Sequence, residues 1–527
     1  MSEIDFVEIS PFPGLRPFRE DETHLFFGRE THRRELLKRL SATRFVAVVG
    51  TSGSGKSSLI RAGLLPDLKS GYLPKCGSDW VVVDMAPGND PIGRLAAEFE
   101  RVGWPVSADD LRTNSTKILE LSGRLLGQDQ HLLVLADQFE ELFRLRAREE
   151  PIADRDEKAS FVRLLLNAGG QGKAVDKKLD SRVHVVVAMR SEYLGRASAY
   201  AGFPEAIDQG QYLIPTLSRE QLRQAIVHPV HVAGGSIEES LVQRLLNELG
   251  NDQDQLPILQ HALMRTWNFW KARGNTGKLD DDCYTKSGKF EDALSNHASE
   301  ILREAVGAVG AEGEHILKRV FQSLRETDIN GGQSRRPTSV NELCEIAQCD
   351  RATLSRAIEP FREQSFLRPS LDELAIKADE PLPESALVDV SHEALLRRWT
   401  TLGKWIEEDE LDRRLYIRIA SRAADEAGSQ SPDYFVSPLL EVLEKFWNDC
   451  QPTRTWAVRH HPGYEQARAF LDASTRNQKL KNEEERRRTN ELQMERAKRA
   501  KMKERLWIGG AALVVLTVAV GLYLEQQ

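Results

Sequence analysis

Cysteine is scarce in this sequence, and the few cysteines present lack the spacing of a metal site or a disulfide framework. The 527 residues include five of them, at positions 76, 283, 344, 349 and 450, and no two form a C-x-x-C pair. An odd, scattered set of this kind argues against a structural zinc site and against a disulfide-stabilised fold. A reducing compartment is therefore expected.

A strong excess of charge of one sign is also missing. The chain has 72 Lys and Arg residues against 80 Asp and Glu residues, which gives a net charge of −8 and a pI of about 5.9. Because the two signs are interspersed, the composition gives no argument for a nucleic-acid partner. The opening residues Met1 to Asp5 lack the basic and apolar regions of a secretory signal, so none is predicted.

What the sequence does contain is a phosphate-binding loop. An apolar, β-branched run at residues 45–49 leads into Gly50-Thr51-Ser52-Gly53-Ser54-Gly55-Lys56-Ser57-Ser58, and a helical pattern follows. The pattern G-x-x-x-x-G-K-S between a strand and a helix is typical of a P-loop. The glycines are expected to adopt positive φ and to bring backbone N–H groups to the phosphates of a nucleoside triphosphate. Lys56 would then lie between the β- and γ-phosphates, and Ser57 would bind Mg²⁺.

Further apolar runs predict a parallel α/β sheet around this loop. They cover residues 80–84, 131–136 and 183–188, with 211–214 as an edge strand. Runs that are apolar throughout are typical of strands buried on both faces. Asp137 follows the third strand at its carboxyl end, where a Walker B aspartate would order Mg²⁺ through water. A helix N-cap is the alternative role for Asp137.

Hydrolysis also needs a carboxylate that orients the attacking water, and Gln138 occupies the position where many such ATPases have it. Either Glu140 or Glu141 could take that role, or both could serve the first turn of a helix through its dipole. Slow hydrolysis is therefore expected. Arg190 ends the fourth strand beside the Walker B strand, where it could contact the γ-phosphate. A surface ion pair is the alternative for this arginine.

The segment upstream of the P-loop suggests a base pocket. Residues 11–20 are rich in proline and are interpreted as an extended arm, and Phe26-Phe27-Gly28-Arg29-Glu30 follows. Two aromatic rings beside a glycine would form a flat apolar wall with close backbone approach, as an adenine pocket requires. The alternative is a helix start with a hydrophobic staple.

The region after the sheet is predicted to be mainly helical. Residues 219–300 have helical periodicity, with a capping box that begins at Ser218, and are interpreted as a lid. A short strand at residues 388–390 then leads into Ser391-His392-Glu393, in a pattern that resembles a winged helix. Ser391 is expected to cap the following helix, while His392 by itself would be an ordinary capped histidine. Residues 167–182 are interpreted as a loop.

One long apolar run lies at the far end. Residues 506–524 contain 19 residues without a charge, enough for a helix of about 28 Å, close to the hydrocarbon thickness of a membrane. Trp507 and Tyr523 lie where an aromatic belt would be, and basic residues precede the run. The sequence therefore predicts one transmembrane helix in lipid of the inner membrane, with the bulk of the chain in the cytoplasm. A buried core helix is the alternative.

Taken in order, these motifs resemble the novel-STAND branch of the STAND ATPases, which are signal-transducing relatives of the AAA+ class. The matching stretches are Pro13 to Phe18, Phe26 to Glu30, the P-loop, Asp137 to Glu141, Ala188 to Arg190, Leu256 to Gln260 and Val390 to Leu395. The resemblance implies an α/β P-loop NTPase with a parallel sheet, followed by a helical lid, a winged helix, a helical region and one transmembrane helix. The expected domains are an arm (1–20), the ATPase (21–217), the lid (218–300), the winged helix (301–405), a helical region (406–475), a charged juxtamembrane helix (476–505) and the membrane span (506–524).

The resemblance implies a switch that binds ATP or ADP with Mg²⁺. In such proteins the domains close around ADP, and ATP with a trigger opens them so that they assemble into homo-oligomers. By position, Gly28, Arg29 and Glu30 would flank the adenine, Arg190 would be the sensor, and His392 would contact the phosphates. Several relatives act in antiviral or programmed-death defence. Relatives commonly carry sensor repeats or a separate effector domain, and neither is found in this sequence. Three explanations stay open: the membrane helix is itself the effector, the sensor belongs to an unknown partner, or the sequence is part of a longer chain.

Two other functions fit parts of the sequence. A membrane-tethered transcription regulator would use the winged helix on DNA, but residues 301–405 show no obvious basic recognition stripe. A constitutive ATP-driven motor is disfavoured by Gln138. The nucleotide retained on purification would separate these alternatives from a switch.

Overall fold

The computed structural model describes residues 10–143, 152–172, 182–250, 254–327, 333–369 and 380–525. The chain divides into two compact units, Met1–Trp405 and Ile406–Gln527. Of the loop predicted at 167–182, residues 173–181 lie outside the described residues, and the helix before it ends at Ala168.

A five-stranded parallel sheet forms the centre of the N-terminal half of the first unit. Its strands are β1 (Phe45–Gly50), β2 (Trp80–Met85), β3 (His131–Ala136), β4 (Val183–Arg190) and β5 (Gln211–Leu213). Their order in the sheet is β2-β3-β4-β1-β5, and every pair is parallel. The predicted parallel sheet is confirmed, with β5 at one edge and β4 directly beside β3.

The central strands are buried on both faces because their apolar residues supply two separate cores. In β1, Phe45, Ala47 and Val49 belong to one hydrophobic cluster, whereas Val46 and Val48 belong to the other. Successive side chains of a strand point to opposite faces, so an uninterrupted apolar run is what a two-sided core needs. The carboxyl ends of β1, β3 and β4 are thereby fixed side by side.

Helices cover both faces of this sheet. The P-loop helix begins as α2 (Lys56–Ser58), passes through a π-helical turn (Leu59–Leu64) and ends as α3 (Leu65–Lys69). The other α-helices of this half are α1 (Glu30–Thr43), α4 (Pro91–Arg101), α5 (Ala108–Thr113), α6 (Lys117–Leu125), α7 (Ile152–Ala168) and α8 (Phe203–Gly210). Short 3-10 helices span Glu20–Leu25, Phe139–Phe143 and Ser191–Ala199.

Five helices follow the sheet, as the periodicity predicts. They are α9 (Arg219–Val232), α10 (Glu239–Glu248), α11 (Gln255–Ala272), α12 (Asp281–Lys286) and α13 (Lys289–Val309). The capping box at Ser218 is present, since its hydroxyl accepts from the Gln221 amide and the Gln221 side chain accepts in return. Their core is built around Trp267 and receives Phe12 from the N-terminal segment.

Residues 313–399, called the small-sheet region below, complete the first unit up to α18. Its helices are α14 (Gly313–Ser323), α15 (Val340–Ala347), α16 (Arg351–Glu363) and α17 (Glu393–Arg398). Its strands are β6 (Arg325–Thr327), β7 (Gln333–Arg335), β8 (Thr338–Ser339), β9 (Leu367–Arg368) and β10 (Leu387–Val390). Strands β8, β10 and β9 form an antiparallel sheet, and β6 pairs with β7. Its assignment as a winged helix stays a prediction.

The second unit is helical. It holds most of α18 (Thr400–Asp425), then α19 (Leu439–Cys450), α20 (Arg454–Val458) and α21 (Tyr464–Glu525). The Tyr416 hydroxyl donates to the His461 carbonyl over 3.0 Å, and the Trp456 indole donates to Asp409 over 3.2 Å. Every side chain from Lys479 to Leu524 is exposed. By length and composition, the apolar end of α21 could span a membrane.

Candidate functional site

The P-loop has the backbone that a phosphate cradle requires, with one difference from expectation. Gly53 and Gly55 adopt positive φ, +72° and +88°, whereas Gly50 ends β1 without positive φ. The prediction was wrong for Gly50, where the constraint is steric: a Cβ there would lie 2.7 Å from the Ser54 hydroxyl. Gly53 is doubly constrained, because a Cβ would also lie 2.8 Å from the Cα of Asp254.

Lys56 is folded back on its own loop. Its Nζ donates to the Gly50 carbonyl over 2.9 Å and to the Thr51 carbonyl over 2.8 Å. Burial lowers the pKa of Lys56, while Glu140 nearby favours the charged form. The ammonium group is thus held in the pocket by two neutral carbonyls, and an anionic phosphate would be a stronger partner than either.

Asp137 occupies the predicted position at the carboxyl end of β3. Its side chain is buried, 3% exposed, and Oδ1 accepts from the Gln138 amide over 2.9 Å. Oδ2 receives no well-aligned hydrogen bond in the described part of the chain, although Nη1 of Arg61 lies 3.1 Å away. A buried carboxylate oxygen in this condition is available to a cation or its water.

The residues predicted to hold Mg²⁺ fit that ion. The hydroxyl of Ser57 and the carboxylate of Asp137 both line one pocket, and both are hard oxygen donors. No group of three His, Cys, Asp or Glu residues that could hold a metal is found among the described residues. Mg²⁺ at phosphate sites uses one or two protein oxygens together with phosphate and water, so two donors suffice.

The structure places the two glutamates differently. Glu140 lines the pocket, and its carboxylate accepts from the Nε of Arg190 over 3.1 Å. Burial raises the pKa of Glu140, which suits a group that accepts a proton from water. Glu141 lies off the pocket and accepts from the Gly88 amide over 2.9 Å. Of the two candidates, Glu140 lines the pocket and Glu141 does not, and a catalytic role for Glu140 stays a prediction.

Gln138 has an unusual backbone and a fixed side chain. Its φ is +56°, a left-handed conformation that L-residues seldom adopt. Its Oε1 accepts from Nη2 of Arg335 over 3.1 Å. The side chain that replaces the usual catalytic carboxylate is therefore engaged with the small-sheet region.

Arg190 lies at the end of β4, in register with Gly50 of β1. Besides Glu140 it pairs through Nη2 with Glu393, which comes from the small-sheet region. Burial opposes the charge of Arg190, but the two carboxylates raise its pKa above the ordinary value. The arginine predicted to be a sensor is thus paired with two carboxylates.

Glu393 bonds to groups from three different segments of the chain. It is 2% exposed and accepts from the Nε of Arg335 over 2.7 Å and from the Ser52 hydroxyl of the P-loop over 3.2 Å. Burial would raise the pKa of its carboxyl, but Arg335 and Arg190 hold that pKa well below its ordinary value. A carboxylate from the small-sheet region therefore lies between the P-loop and Arg190 and stays ionised.

Arg335 connects the same cluster to β10. Its Nη1 donates to Asp389 over 3.0 Å and to the Val390 carbonyl over 3.2 Å. Neither Arg335 nor Glu393 was predicted to be a site residue. Glu393 does stand next to His392 in a motif that the resemblance includes, but Arg335 belongs to no motif and gives no local signal.

His392, not Ser391, caps α17. The Nδ1 of His392 accepts from the Ala394 amide over 3.1 Å, whereas the Ser391 hydroxyl donates to the Ser365 carbonyl. The Ser391 cap was therefore predicted wrongly, since that hydroxyl is engaged with the turn before β9. With Nδ1 as acceptor, the neutral ring carries its proton on Nε2. His392 also lines the pocket, which is compatible with the predicted contact with phosphate. That contact stays a prediction.

Of the three residues predicted to flank adenine, only Arg29 lines this pocket, and the contact with adenine stays a prediction. Arg29 lines the pocket but donates to the Ser54 carbonyl over 2.9 Å and to the Pro215 carbonyl over 2.8 Å, so it braces the P-loop. Gly28 donates to the Glu30 carboxylate over 3.0 Å, and neither residue belongs to the lining of this pocket. A Cβ on Gly28 would lie 2.4 Å from the Gln221 carbonyl, so packing accounts for that glycine.

The apolar part of the pocket comes from other segments. Residues 13–18 of the N-terminal segment form one wall, with Leu25, Phe26 and Phe27 beside them. Leu256, Pro257, Leu259 and Gln260 of α11 line it as well. The segment expected to be an extended arm has no regular structure over 10–19, but it is largely buried. Its proline-rich sequence packs against the site.

This geometry defines a P-loop NTPase built on a parallel sheet, with a pocket that also takes residues from the helical and small-sheet regions. The model of the Novel STAND NTPase 1 family matches residues 11–432. That match spans most of the chain, and the protein belongs to this family.

Comparison with solved structures gives distant similarities. Cdc6p from Pyrobaculum aerophilum is 14% identical with a TM-score of 0.34, over 72% of this chain and 95% of that chain. The ORC2 protein of Aeropyrum pernix, in ADPNP-ADP complexes, is 13% identical with a TM-score of 0.39, over 72% and 93%. TM-scores this low carry no argument, and the assignment rests on the family match and the site. No curated protein matches the chain.

Proposed function

We propose that this protein is a nucleotide-gated switch whose closed state is the arrangement described above. The observation that carries the proposal is the pairing of Arg190 with Glu393. The arginine that could detect a γ-phosphate is neutralised by a carboxylate of the small-sheet region. The same carboxylate also accepts from Ser52 in the P-loop.

A γ-phosphate and the Glu393 carboxylate are competing anions for Arg190. A diphosphate ends before the γ position and leaves the pair intact, whereas a triphosphate presents its own charge to the guanidinium. Hydrogen bonds to charged groups contribute about 1.5–3 kcal/mol each. A ligand shifts an equilibrium only by its differential affinity for the two states, and this exchange supplies that difference.

Opening would release three contacts together. Glu393 bonds to Arg190 and Ser52, and Arg335 bonds to Gln138. All three join the small-sheet region to the P-loop, the Walker B segment or the end of β4. The ATP-bound state would therefore expose the surface that these contacts cover, and we propose that this surface supports homo-oligomer assembly.

Hydrolysis resets the switch slowly in this account. Lys56 would neutralise the phosphates, and Glu140 would orient water, while bound Mg²⁺ would polarise the phosphate oxygens. In the closed state Arg190 holds the Glu140 carboxylate, and the Gln138 side chain is bound to Arg335. Glu140 becomes available only when Arg190 turns away from it.

The apolar end of α21 is proposed to anchor the protein in the inner membrane. Truncation after Arg505 should release the protein from membranes while nucleotide affinity stays unchanged. The basic residues before the span could retain a weak, salt-dependent attachment of about 1 kcal/mol per charge. Resistance of the truncated protein to alkaline extraction would contradict the anchor. The family resemblance extends the proposal to antiviral or death-type defence with an unidentified trigger.

The switch is tested by the nucleotide retained on purification and by the assembly state with ADP and with a non-hydrolysable ATP analogue. Retained ADP and assembly with the analogue alone are expected. Glu393→Gln should assemble at lower analogue concentration. Asp389→Asn is the matched control, because it removes a carboxylate that pairs with Arg335 within the small-sheet region. Fast steady turnover without assembly would indicate a motor, and retardation of DNA would indicate a regulator.

A further inference from the structure

Arg61 makes a contact at the Walker B aspartate that the sequence analysis did not anticipate. It projects from the π-helical turn (Leu59–Leu64) just after the P-loop. Its Nε and Nη2 bond both oxygens of Asp84 over 3.0 and 3.2 Å, and its Nη1 lies 3.1 Å from Oδ2 of Asp137. One guanidinium thus bridges the carboxyl ends of β2 and β3.

This guanidinium lies beside the Asp137 carboxylate, the group predicted to order Mg²⁺. Asp137 is almost fully buried, and its Oδ1 is already used by the Gln138 amide. Oδ2 is the oxygen left for Mg²⁺ or a water bound to it, and Arg61 is the positive group beside that oxygen. A buried carboxylate without a counter-charge is costly, so a cation of the chain stabilises it when the metal is absent.

Arg61 also has a second anchor that would retain it. Its bond to Asp84 uses two nitrogens, whereas its approach to Asp137 uses one and lacks hydrogen-bond alignment. Asp84 does not line the pocket. Withdrawal from Asp137 would therefore leave the guanidinium paired.

We propose that Arg61 is a built-in counter-ion that replaces Mg²⁺ at Asp137 in the diphosphate-bound state and gives way when Mg²⁺ arrives with the triphosphate. The proposal rests on the nucleotide switch proposed above. ADP would be held tightly without the metal, so the closed state would not depend on the supply of Mg²⁺. Only the triphosphate state would require it. Arg61 is a positioning residue in this account, because it acts through Asp137.

The test measures the affinity of a fluorescent ADP analogue in excess Mg²⁺ and in excess EDTA. In the wild type the two dissociation constants should agree within about threefold. In Arg61→Gln the constant in EDTA should rise about tenfold, the loss expected for one charged contact, and Mg²⁺ should restore it. Arg61→Lys keeps the charge and should retain most of the wild-type behaviour.

Arg33→Gln is the matched control. Arg33 forms a similar two-pronged pair with Asp67, away from the pocket. It should lower the melting temperature without making ADP binding depend on Mg²⁺. An equal metal dependence in both glutamine variants would mean that Arg61 only braces the fold, and would overturn the proposal.

A second variant tests the same exchange by changing Asp84, the other carboxylate that Arg61 contacts. Asp84→Asn leaves Arg61 with Asp137 as its remaining carboxylate partner in this bridge. The Mg²⁺ concentration that half-saturates triphosphate binding should then rise several-fold, although Asp84 does not line the pocket. An unchanged value would contradict the exchange. Failure of the Glu393 switch would instead appear as unaltered assembly in Glu393→Gln, and a wild type that binds no ADP would overturn both proposals.

Discussion

The P-loop edge of the parallel sheet and the small-sheet region contribute to one pocket in different ways. The P-loop edge is built from residues close together in the chain, Gly50 to Ser58, with strand ends fixed beside them. The small-sheet region reaches the pocket across long separations: Glu393 lies 203 residues from Arg190 and 341 from Ser52. In the proposed switch, the first region binds the phosphates and the second controls which nucleotide state is stable.

This difference has a physical cause. Phosphate binding needs backbone N–H groups and a lysine on one loop, so a short sequence motif supplies all the groups that bind phosphate. Control needs a contact that can break as a unit, and ion pairs between distant segments break together when the segments separate. The two regions should therefore respond differently to substitution.

Lys56→Ala should give the largest effect on the chemical side. Removal of the one charged side chain of the P-loop should weaken triphosphate binding about thirtyfold or more, since truncating one partner of a buried charge pair costs about 2–5 kcal/mol. Calorimetry measures this directly. Asp137→Asn should keep nucleotide affinity but lose Mg²⁺-dependent turnover. An unchanged affinity of Lys56→Ala for the triphosphate would contradict the assignment of residues 50–58 as a P-loop.

The two adjacent glutamates offer a second comparison. Glu140→Gln should lower kcat about a hundredfold, as loss of a positioned base does, with little change in nucleotide affinity. Glu141→Gln should leave kcat near the wild-type value, because Glu141 bonds the Gly88 amide off the pocket. Single-turnover hydrolysis measures both. Equal losses in the two variants would contradict the assignment of Glu140.

His392 tests whether a cap at the pocket has a further role. His392→Ala should speed ADP release about tenfold if Nε2 donates to the diphosphate, since that bond is to a charged group. Asp350→Ala is the control, because Asp350 caps α16 in the same way through the Thr353 amide. Stopped-flow release of a fluorescent ADP analogue compares them. If release rates stay equal with the folds intact, His392 is only a cap.

The pH dependence of ADP release should be smaller, and its sign follows from the same histidine. Burial lowers the pKa of His392 below 6.5 in the closed state. The open state then binds more protons, so closure loses stability as pH falls below about 6.5. Release should accelerate several-fold between about pH 7.5 and 5.5. His392→Gln should flatten that profile, and an identical profile in both proteins would assign the effect to another group.

The sequence predicts the sheet and the P-loop side of the pocket because both are encoded locally. Uninterrupted apolar runs locate β1, β3 and β4, and the residues after them identify Lys56 and Asp137. Local patterns could not assign Arg335, because a buried arginine paired across the fold looks like any surface arginine. They also left Glu140 and Glu141 undecided, since adjacent side chains point in different directions only once the backbone is fixed.

The central claim is that Glu393 competes with a γ-phosphate for Arg190. Its most direct test is the affinity for ADP and for a non-hydrolysable ATP analogue in the wild type, Glu393→Gln, Arg190→Ala and the double variant. Glu393→Gln should tighten binding of the analogue about tenfold without tightening that of ADP, and the gain should vanish in the Arg190→Ala background. Equal effects on both nucleotides, or a gain that persists without Arg190, would contradict the account.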